Sequence, residues 1–206
     1  MKTRITALTL TLALVMTGCV PVPSLHPLYT EKDTVFEPKL LGTWQGPDAG
    51  DGTWTFAKAG ENAYQVILDN EKGEQEEFTA HLVRLKKHLF LDAQPRLPKK
   101  ILSDYEPHVV VAHTFYRVAI GEDSVRMAWL DDKNLAEMIQ KKQVKVKHEE
   151  VGGSVLLTAS PEELQAFVER NAENKELFRE EDRIELRRKK TAGAAFPAGG
   201  ARATQQ

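Results

Sequence analysis

The feature that most constrains how this chain can fold is a series of short β-type segments separated by turn residues, which runs through residues 40–190. In EFTAHLVRL, for example, Phe78, Ala80 and Leu82 occupy every second position, as expected of a strand with two distinct faces. Short turn sequences such as KAGEN, NEKGEQ and KK separate the segments. Turns of this length join strands that are neighbours in an antiparallel sheet. The sequence therefore predicts an antiparallel meander.

The strand segments continue to the end of this region and are rich in β-branched and aromatic residues. They read LLGTWQ, TWTFA, AYQVIL, EFTAHLVRL, HLFLDA, HVVVAHTFYRVAI, SVRMAWL, GSVLLTA and DRIELRRK. We therefore expect a mainly β domain of the α+β class with about eight or nine strands.

Two short helices are predicted among the later strands. In DDKNLAEMIQKKQ, either Asp131 or Asp132 is the N-cap, and the apolar residues recur on one face. In SPEELQAFVERNAEN, Ser160 is the N-cap, Pro161 takes the first helical position and Glu163 completes a capping box.

Composition narrows the possible partners and the means of stabilisation. The chain has 28 Lys and Arg against 30 Asp and Glu, a formal net charge of −2. Without a basic excess, we expect no nucleic-acid partner. One cysteine cannot form an internal disulfide, so burial of apolar side chains must stabilise the fold.

The N-terminus has the layout of a secretion signal. Lys2 and Arg4 precede the apolar run ITALTLTLALVMT, which is too short to span a bilayer comfortably. We therefore predict that residues 1–18 are a signal peptide. An ordinary signal peptide with an unrelated cysteine, or a short membrane anchor, is the alternative.

The residues MTGC at positions 16–19 resemble a bacterial lipobox. The resemblance implies cleavage between Gly18 and Cys19, diacylglycerol on the Cys19 thiol, and acylation of the new amine. Several acyl chains hold a protein firmly on a membrane, whereas one holds it weakly. Val20 follows the cysteine in place of Asp, and in lipoproteins of double-membraned bacteria this favours the outer membrane. We therefore expect a lipid-anchored envelope protein that faces the periplasm.

The segments on either side of the β region differ from it in composition. After Cys19, the stretch VPVPSLHPLYTEKDTVFEP contains four prolines, so we predict that residues 19–39 form a lipidated, extended tether. Residues 191–206 are rich in Ala and Gly and are predicted to be a disordered tail. The folded domain is therefore expected over residues 40–190.

The first strand segment contains Gly42, Thr43 and Trp44, which resemble the G-x-W signature of lipocalins and their calycin relatives. In those proteins an arginine of the last strand packs across the tryptophan and closes one end of the barrel. Arg187 or Arg188 is suitably placed to do so here. The resemblance implies a lipocalin-like barrel and no particular ligand residues.

A longer likeness covers nearly all of the expected mature domain. The stretches SLHPLYTEKDTVFEPKLLGTW and HTFYRVAIGEDSVRMAWLDDKNLAEMI resemble a group of small bacterial lipoproteins of unknown function. This resemblance implies the fold and the envelope location, and no activity.

No motif has the spacing of a catalytic or metal site, so we expect neither an enzyme nor a cofactor or metal. The histidines considered are His81, His88, His108, His113 and His148. Alternation places His113 and Tyr116 on opposite faces of one strand, and a structural role is expected for the histidine. Several aromatic residues either line an apolar pocket or form the core. They are Trp44, Trp54, Trp129, Phe90 and Phe115.

Two functions follow as expectations. The first is an envelope lipoprotein, attached to the membrane through Cys19, that binds a small apolar molecule or lipid in the barrel mouth. The second is a structural or accessory envelope protein with a filled barrel that docks a protein partner, whose identity the sequence does not reveal.

Overall fold

The computed structural model describes residues 21–47, 52–70, 72–97, 106–179 and 183–190. The predicted signal peptide, the Gly18–Cys19 cleavage and lipidation site and the predicted tail lie outside these residues. The strands are β1 Pro23–Ser24, β2 Thr34–Val35, β3 Gly42–Gln45, β4 Thr53–Lys58, β5 Ala63–Asp69, β6 Gln75–Leu85, β7 His88–Pro95, β8 His113–Ile120, β9 Ser124–Trp129, β10 His148–Val151, β11 Ser154–Leu157 and β12 Ile184–Arg188. The helices are α1 Asp132–Gln140 and α2 Pro161–Asn171, with 3-10 turns at Pro38–Leu40 and Glu106–His108.

Eight of these strands form a closed antiparallel barrel. Strands β3 to β9 pair in chain order, and β12 closes the barrel by pairing with both β9 and β3. The register places Arg188 opposite Trp44 and Leu186 opposite Val125. The predicted mainly β domain with about eight or nine strands and two short helices is thus confirmed.

The two faces of the barrel wall contribute to two apolar cores. Side chains at alternate positions of β3 to β9 and β12 point inward and form the interior core. Its buried members are Leu40, Trp44, Phe56, Tyr64, Val66, Ala80, Leu82, Leu91, Ala93, Val118, Val125, Met127 and Leu186. Burial of so much apolar surface compensates for the absence of a disulfide.

The outer core lies between the outside of the barrel wall and the helices. Leu82 faces the interior, whereas the next residue, Val83, packs in the outer core. Prominent members from the covering elements are Val22, Leu28, Leu135, Leu157, Leu164, Phe167, Val168 and Phe178.

Both helices begin where the sequence predicts. Of the two candidates for the first cap, Asp131 is the N-cap and accepts a hydrogen bond from the backbone N–H of Asn134 at 2.7 Å. In α2, the Ser160 hydroxyl accepts from the Glu163 N–H, and the Glu163 carboxylate accepts from the Ser160 N–H. The capping box therefore defines the start of this helix.

The described part of the predicted tether is packed against the barrel. We call residues 21–37 the N-terminal strap. Within it, β1 pairs with β8 and β11, and β2 pairs with β6. Val22, Ser24 and Leu28 are buried. From Pro21 onwards the chain is therefore not an extended leash. Its apolar side chains gain burial, and its strands are only two residues long, so the prolines interrupt little hydrogen bonding.

The strand predicted from His108 begins later, at His113. Glu106–His108 form a 3-10 turn, in which Pro107 supplies no N–H to a strand ladder. Val109 and Val110 then remain exposed, at 39% and 72%. The composition of the valine run predicts a strand. The 3-10 turn that contains Pro107 precedes this run, and strand pairing begins only at His113.

Candidate functional site

The end of the barrel at which β3 begins is closed. The Trp44 side chain is fully buried there, and its indole Nε1 donates a hydrogen bond to the Leu40 carbonyl at 2.8 Å. Leu40 is also fully buried, and it belongs to the 3-10 turn Pro38–Leu40, which lies across this end. We call this the closed end and the opposite one the mouth.

Of the two candidate arginines, Arg188 performs the closing role. Its guanidinium lies 4.2 Å from the centre of the Trp44 ring. It also donates to the carbonyls of Leu41, at 3.0 Å, and Lys39, at 2.7 Å. Arg187 points outward, where it pairs with Glu185. One residue of register therefore decides which arginine covers the tryptophan.

Gly42 is required by the same arrangement. Its φ of +117° lies in a region that other residues rarely adopt. A Cβ at this position would lie 3.1 Å from Nη1 of Arg188. The glycine of the G-x-W motif therefore provides both a backbone conformation and the space for the arginine.

Burial in the interior decreases from the closed end towards the mouth. Among wall positions near the mouth, Trp54, Leu68, Phe78, Tyr116 and Ile184 are only partly buried. The inward side chains of β6 and β7 also change in size along this direction. The opposed pair of β6 and β7 towards the closed end is Leu82 and Leu91, whereas the next inward pair is Ala80 and Ala93. The mouth half is thus lined by aromatic rings and small residues.

A cleft of about 330 Å³ opens at the mouth where β3 and β12 separate. The two strands pair only through Arg187–Gln45 and Arg188–Trp44. Beyond this ladder, the cleft is lined by the two residues that follow β3, by one residue of β4, and by the first residues of β12 with the residue before them. They are Gly46, Pro47, Trp54, Arg183, Ile184, Glu185 and Leu186. Because Trp54, Ile184 and Leu186 belong to the interior core, the cleft connects that core with the surface.

The aromatic residues singled out in the sequence are divided between several places. Trp44 seals the closed end, Trp54 lines the mouth cleft, and Trp129 is paired with Tyr116 across β8 and β9. Phe90 and Phe115 lie in the outer core. Burial raises the pKa of the Tyr116 phenol, so this group remains a neutral hydroxyl in the mouth half. Trp54, Tyr116 and Trp129 are therefore the aromatic residues of the mouth half that could contact a ligand.

The outside of the barrel wall carries a buried polar cluster beneath the N-terminal strap. Asp92 Oδ1 lies 2.7 Å from Nδ1 of His113, and Oδ2 accepts a hydrogen bond from the Leu28 N–H at 2.6 Å. The carboxylate is 1% exposed and the histidine 6%. Each Asp92 oxygen thus has a partner, and one of the two bonds holds the strap.

Tyr29 and His81 complete this cluster. The two rings are tilted by 30° with centres 4.1 Å apart, and His113 lies edge-on to Tyr29 at 6.4 Å. Burial lowers the pKa of His81 below its ordinary value, although the neighbouring Asp92 acts in the opposite direction. Burial also raises the pKa of the Tyr29 phenol, with a further contribution from Asp92. The cluster therefore favours a neutral ring at position 81.

Sequence reasoning considered His81 and His113 separately and did not include Asp92. The register of β6 and β7 places His81 opposite Asp92, and His113 lies on the neighbouring strand β8. The alternation of each strand could have placed the three side chains on one face. Their proximity depends on the register between strands, for which the sequence contains no direct signal.

The geometry of the cluster joins the strap to the barrel. Ser24 lies opposite His113 in the β1–β8 ladder, but its hydroxyl donates to the His26 carbonyl at 2.7 Å.

Among the residues that the structure describes, no group of three His, Cys, Asp or Glu side chains could hold a metal ion. Within the same residues, no helix is both long enough and apolar enough to cross a membrane.

Fold and site together define a closed eight-stranded antiparallel β-barrel that is compatible with a lipocalin-like fold. No protein-family model, curated protein or solved structure matches the chain.

Proposed function

We propose that this protein is a lipid-anchored bacterial envelope protein, at the outer membrane and facing the periplasm, that binds one small apolar molecule or lipid at the barrel mouth. The observation that carries the proposal is the mouth cleft, which leads to partly buried apolar side chains of the interior core. A volume of about 330 Å³ lies at the lower end of the range typical of small-molecule sites. The proposed role is non-enzymatic.

The difference between the two ends supports a ligand at the mouth. At the closed end, the ring of Trp44 is covered by Leu40 and Arg188, so no apolar surface is left for a ligand. At the mouth, the ring of Trp54 and the side chain of Ile184 retain partial exposure. An apolar molecule placed there would remove this surface from water, and such burial favours binding.

The position of the strap relates the mouth to the proposed anchor. Pro21 forms a bridge with Asp131, and the Val22 N–H donates to the Leu130 carbonyl. Residues 130 and 131 follow β9 at the mouth end. Cys19 precedes Pro21 by two residues, a chain length that spans at most about 7 Å. Acyl chains on Cys19 would therefore hold this side of the barrel close to the bilayer.

A filled barrel that docks a protein partner is the second candidate. It is favoured by the interior packing, since several large interior side chains are fully buried, namely Trp44, Tyr64, Phe56 and Met127. Exposed apolar residues near the mouth end would supply a contact surface, and they are Leu97, Val109 and Val110. Isolated exposed apolar residues are common, so this surface supports the second candidate less strongly than the cleft supports the first.

The ligand proposal is tested by native mass spectrometry of the full chain, extracted from bacterial membranes in mild detergent. We expect a co-purified apolar molecule in the wild type and in Trp54→Phe, and its loss in Trp54→Ala. A fluorescent naphthylamine probe should show the same order of binding. If the wild type carries no such molecule and does not bind the probe, the filled-barrel candidate replaces the first.

The anchor is tested separately by labelling living bacteria with a palmitate analogue. We expect incorporation into the wild type and none into Cys19→Ala. Equal incorporation into both chains would contradict lipidation at Cys19, whatever the mouth binds.

A further inference from the structure

A second cleft, of about 550 Å³, lies on the outside of the barrel towards the closed end. It runs along β8 and β9, between the β6–β7 turn and the residues that follow α2. Its lining contains six basic side chains, which are Arg84, Lys87, His88, Arg117, Arg126 and Arg183. Among the residues that the structure describes, Glu173 is the one acidic residue in the lining. In a chain whose formal net charge is −2, this is a local concentration of positive charge.

The register of β8 and β9 explains why the basic groups surround a depression. Arg117 lies opposite Ala128, and Ala119 lies opposite Arg126. Each arginine is therefore paired with an alanine whose methyl group fills little space. The two alanines form the floor of the cleft, and the longer side chains rise around it.

The guanidinium of Arg117 is held in place by contacts to the polypeptide. Its Nη1 donates to the Ala172 carbonyl, and the group lies 5.7 Å from the centre of the Phe178 ring. A planar guanidinium fixed in this way loses little conformational freedom when it binds an anion.

Two described carboxylates at the cleft, those of Glu173 and Glu185, have cationic partners. Glu173 pairs with Lys87, and Nε2 of His88 lies 3.7 Å from the same carboxylate. Glu185, the ladder neighbour of Arg126, contacts Arg183 and Arg187.

Within the described part of the chain, neither Arg126 nor Arg84, both exposed residues of this cleft, has an ion-pair partner, although several lysines elsewhere are paired with carboxylates. Those pairs are Lys39–Glu122, Lys141–Glu137 and Lys147–Glu163. Arg126 is thus available to an external anion.

We propose that this cleft binds a phosphate-bearing anion, with Arg117 and Arg126 as the principal donors. Guanidinium groups bind phosphate through paired, charge-assisted hydrogen bonds, and the concentration of basic side chains around these two arginines suits a multiply charged anion. A monocarboxylate would use only part of this set. The inference goes beyond the apolar ligand because the cleft lies on the opposite side of the barrel wall from the interior core. The phosphate could belong to a free anion or to a lipid headgroup.

The test is isothermal titration of the full chain in non-ionic detergent. The probes are inorganic pyrophosphate, and a short-chain phosphatidic acid and phosphatidylcholine used as soluble monomers. We expect saturable binding of pyrophosphate, of phosphatidic acid or of both, which weakens as salt is added. In Arg126→Gln the dissociation constant should rise by about tenfold or more. Binding in Lys141→Gln, which alters a distant paired lysine, should be unchanged.

The two sources of phosphate give different results. Binding of pyrophosphate alone indicates a free anion, and binding of phosphatidic acid alone indicates a lipid headgroup. Binding of both indicates recognition of the phosphate group itself. Each of these results supports the proposal, provided that phosphatidylcholine binds more weakly than the bound probe and that Arg126→Gln reduces the affinity.

Three results would overturn the proposal. The first is the absence of saturable binding of every probe, and the second is equal affinity of the wild type and Arg126→Gln. The third concerns Glu180, Glu181 and Asp182, which directly precede Arg183 in the sequence. In this result, a variant with Gln, Gln and Asn at these three positions binds the probes while the wild type does not. The acidic side chains of the chain itself then occupy the cleft in the wild type, and the proposal fails. Thermal unfolding without ligand would show that Arg126→Gln is folded.

Discussion

At the scale of single residues, the closed end of the barrel depends on four positions. Trp44 supplies the apolar surface, the backbone carbonyl of Leu40 accepts the indole hydrogen bond, and the guanidinium of Arg188 covers the ring. Gly42 leaves the space in which the guanidinium lies. The motif is therefore a compact structural unit that stabilises the barrel.

Replacing Gly42 with alanine should lower the free energy of unfolding by about 2 to 4 kcal/mol. Alanine is strained at this φ, and its Cβ would lie close to Nη1 of Arg188. Gly73→Ala is the matched control, since Gly73 has a φ of +74° but no atom within 4 Å of the added Cβ. We expect the control to cost about 1 kcal/mol. Urea denaturation measures both, and equal losses would show that the contact with Arg188 is unimportant.

Truncating Arg188 to alanine should cost about 2 to 3 kcal/mol of stability, since the ring contact and the hydrogen bonds to Leu41 and Lys39 are lost together. The neighbouring Arg187→Ala, which alters an exposed side chain, should stay within about 0.5 kcal/mol of the wild type. Chemical denaturation followed by tryptophan fluorescence distinguishes the two. The assignment fails if Arg187→Ala is the more damaging change.

At the scale of elements, the N-terminal strap is the part of the fold with the least secondary structure of its own. Its two strands contain two residues each. It is held instead by buried apolar side chains and by the hydrogen bond between Leu28 and Asp92. The strap also joins the proposed membrane anchor to the barrel, so its attachment matters for the orientation of the whole protein.

Asp92→Ala should lower stability by about 2 to 4 kcal/mol, because it leaves the Leu28 N–H and His113 buried without their partner. Hydrogen exchange should accelerate most in peptides from residues 22–36. Asp123→Ala, at a largely exposed position, is the control and should change neither quantity. Unchanged exchange in the strap of Asp92→Ala would show that the carboxylate does not hold it.

The cluster also predicts a pH dependence. Because burial lowers the pKa of His81 below its ordinary value of 6.5, the unfolded chain binds more protons at this residue than the folded chain does, in the window just below that value. The contribution of His81 to stability is therefore complete above pH 6.5 and declines as the pH falls through the window. Asp92, His113 and Tyr29 face the same ring and act on it.

Urea denaturation at about pH 7.5 and about pH 5.5 measures this effect in the wild type and in His81→Gln. We expect the wild type to lose more stability between the two conditions than the variant does, since only the wild type has the titrating ring. Equal losses would place the pH dependence elsewhere in the molecule.

At the scale of the whole molecule, the barrel wall is shared by two cores. Leu82 and Val83 are adjacent in β6, both fully buried, and face the interior and the outer core respectively. A wall that is common to both cores couples them, because neither can lose its packing without exposing one face of the same strands.

Leu82→Ala and Val83→Ala should therefore each destabilise the protein by about 2 to 4 kcal/mol within a single cooperative transition. Tryptophan fluorescence and far-ultraviolet circular dichroism should give coincident unfolding curves for both variants. An additional early transition confined to Val83→Ala would mean that the helices and the strap unfold independently of the barrel.

The local features of this fold follow from local sequence. The turn sequences separate the strands, Ser160 and Glu163 define the start of α2, and alternation assigns residues such as Leu82 to one face. These features depend on residues close together in the chain, and for that reason the number of strands and both helices could be predicted. The short strands of the strap could not, since Pro23 argues against a strand and only its contacts with β8 and β11 stabilise one.

The sequence by itself determined a β-meander with two capped helices, the G-x-W motif at its start, and a lipobox-like segment before it. The tertiary structure alone decided that β12 closes the barrel, that Arg188 and not Arg187 covers Trp44, and that Asp92 meets both His113 and the strap. It likewise brought Arg117 and Arg126 together around two alanines. The physical reason is that these pairings join residues far apart in the chain. They depend on strand register, which the packing of the whole molecule fixes.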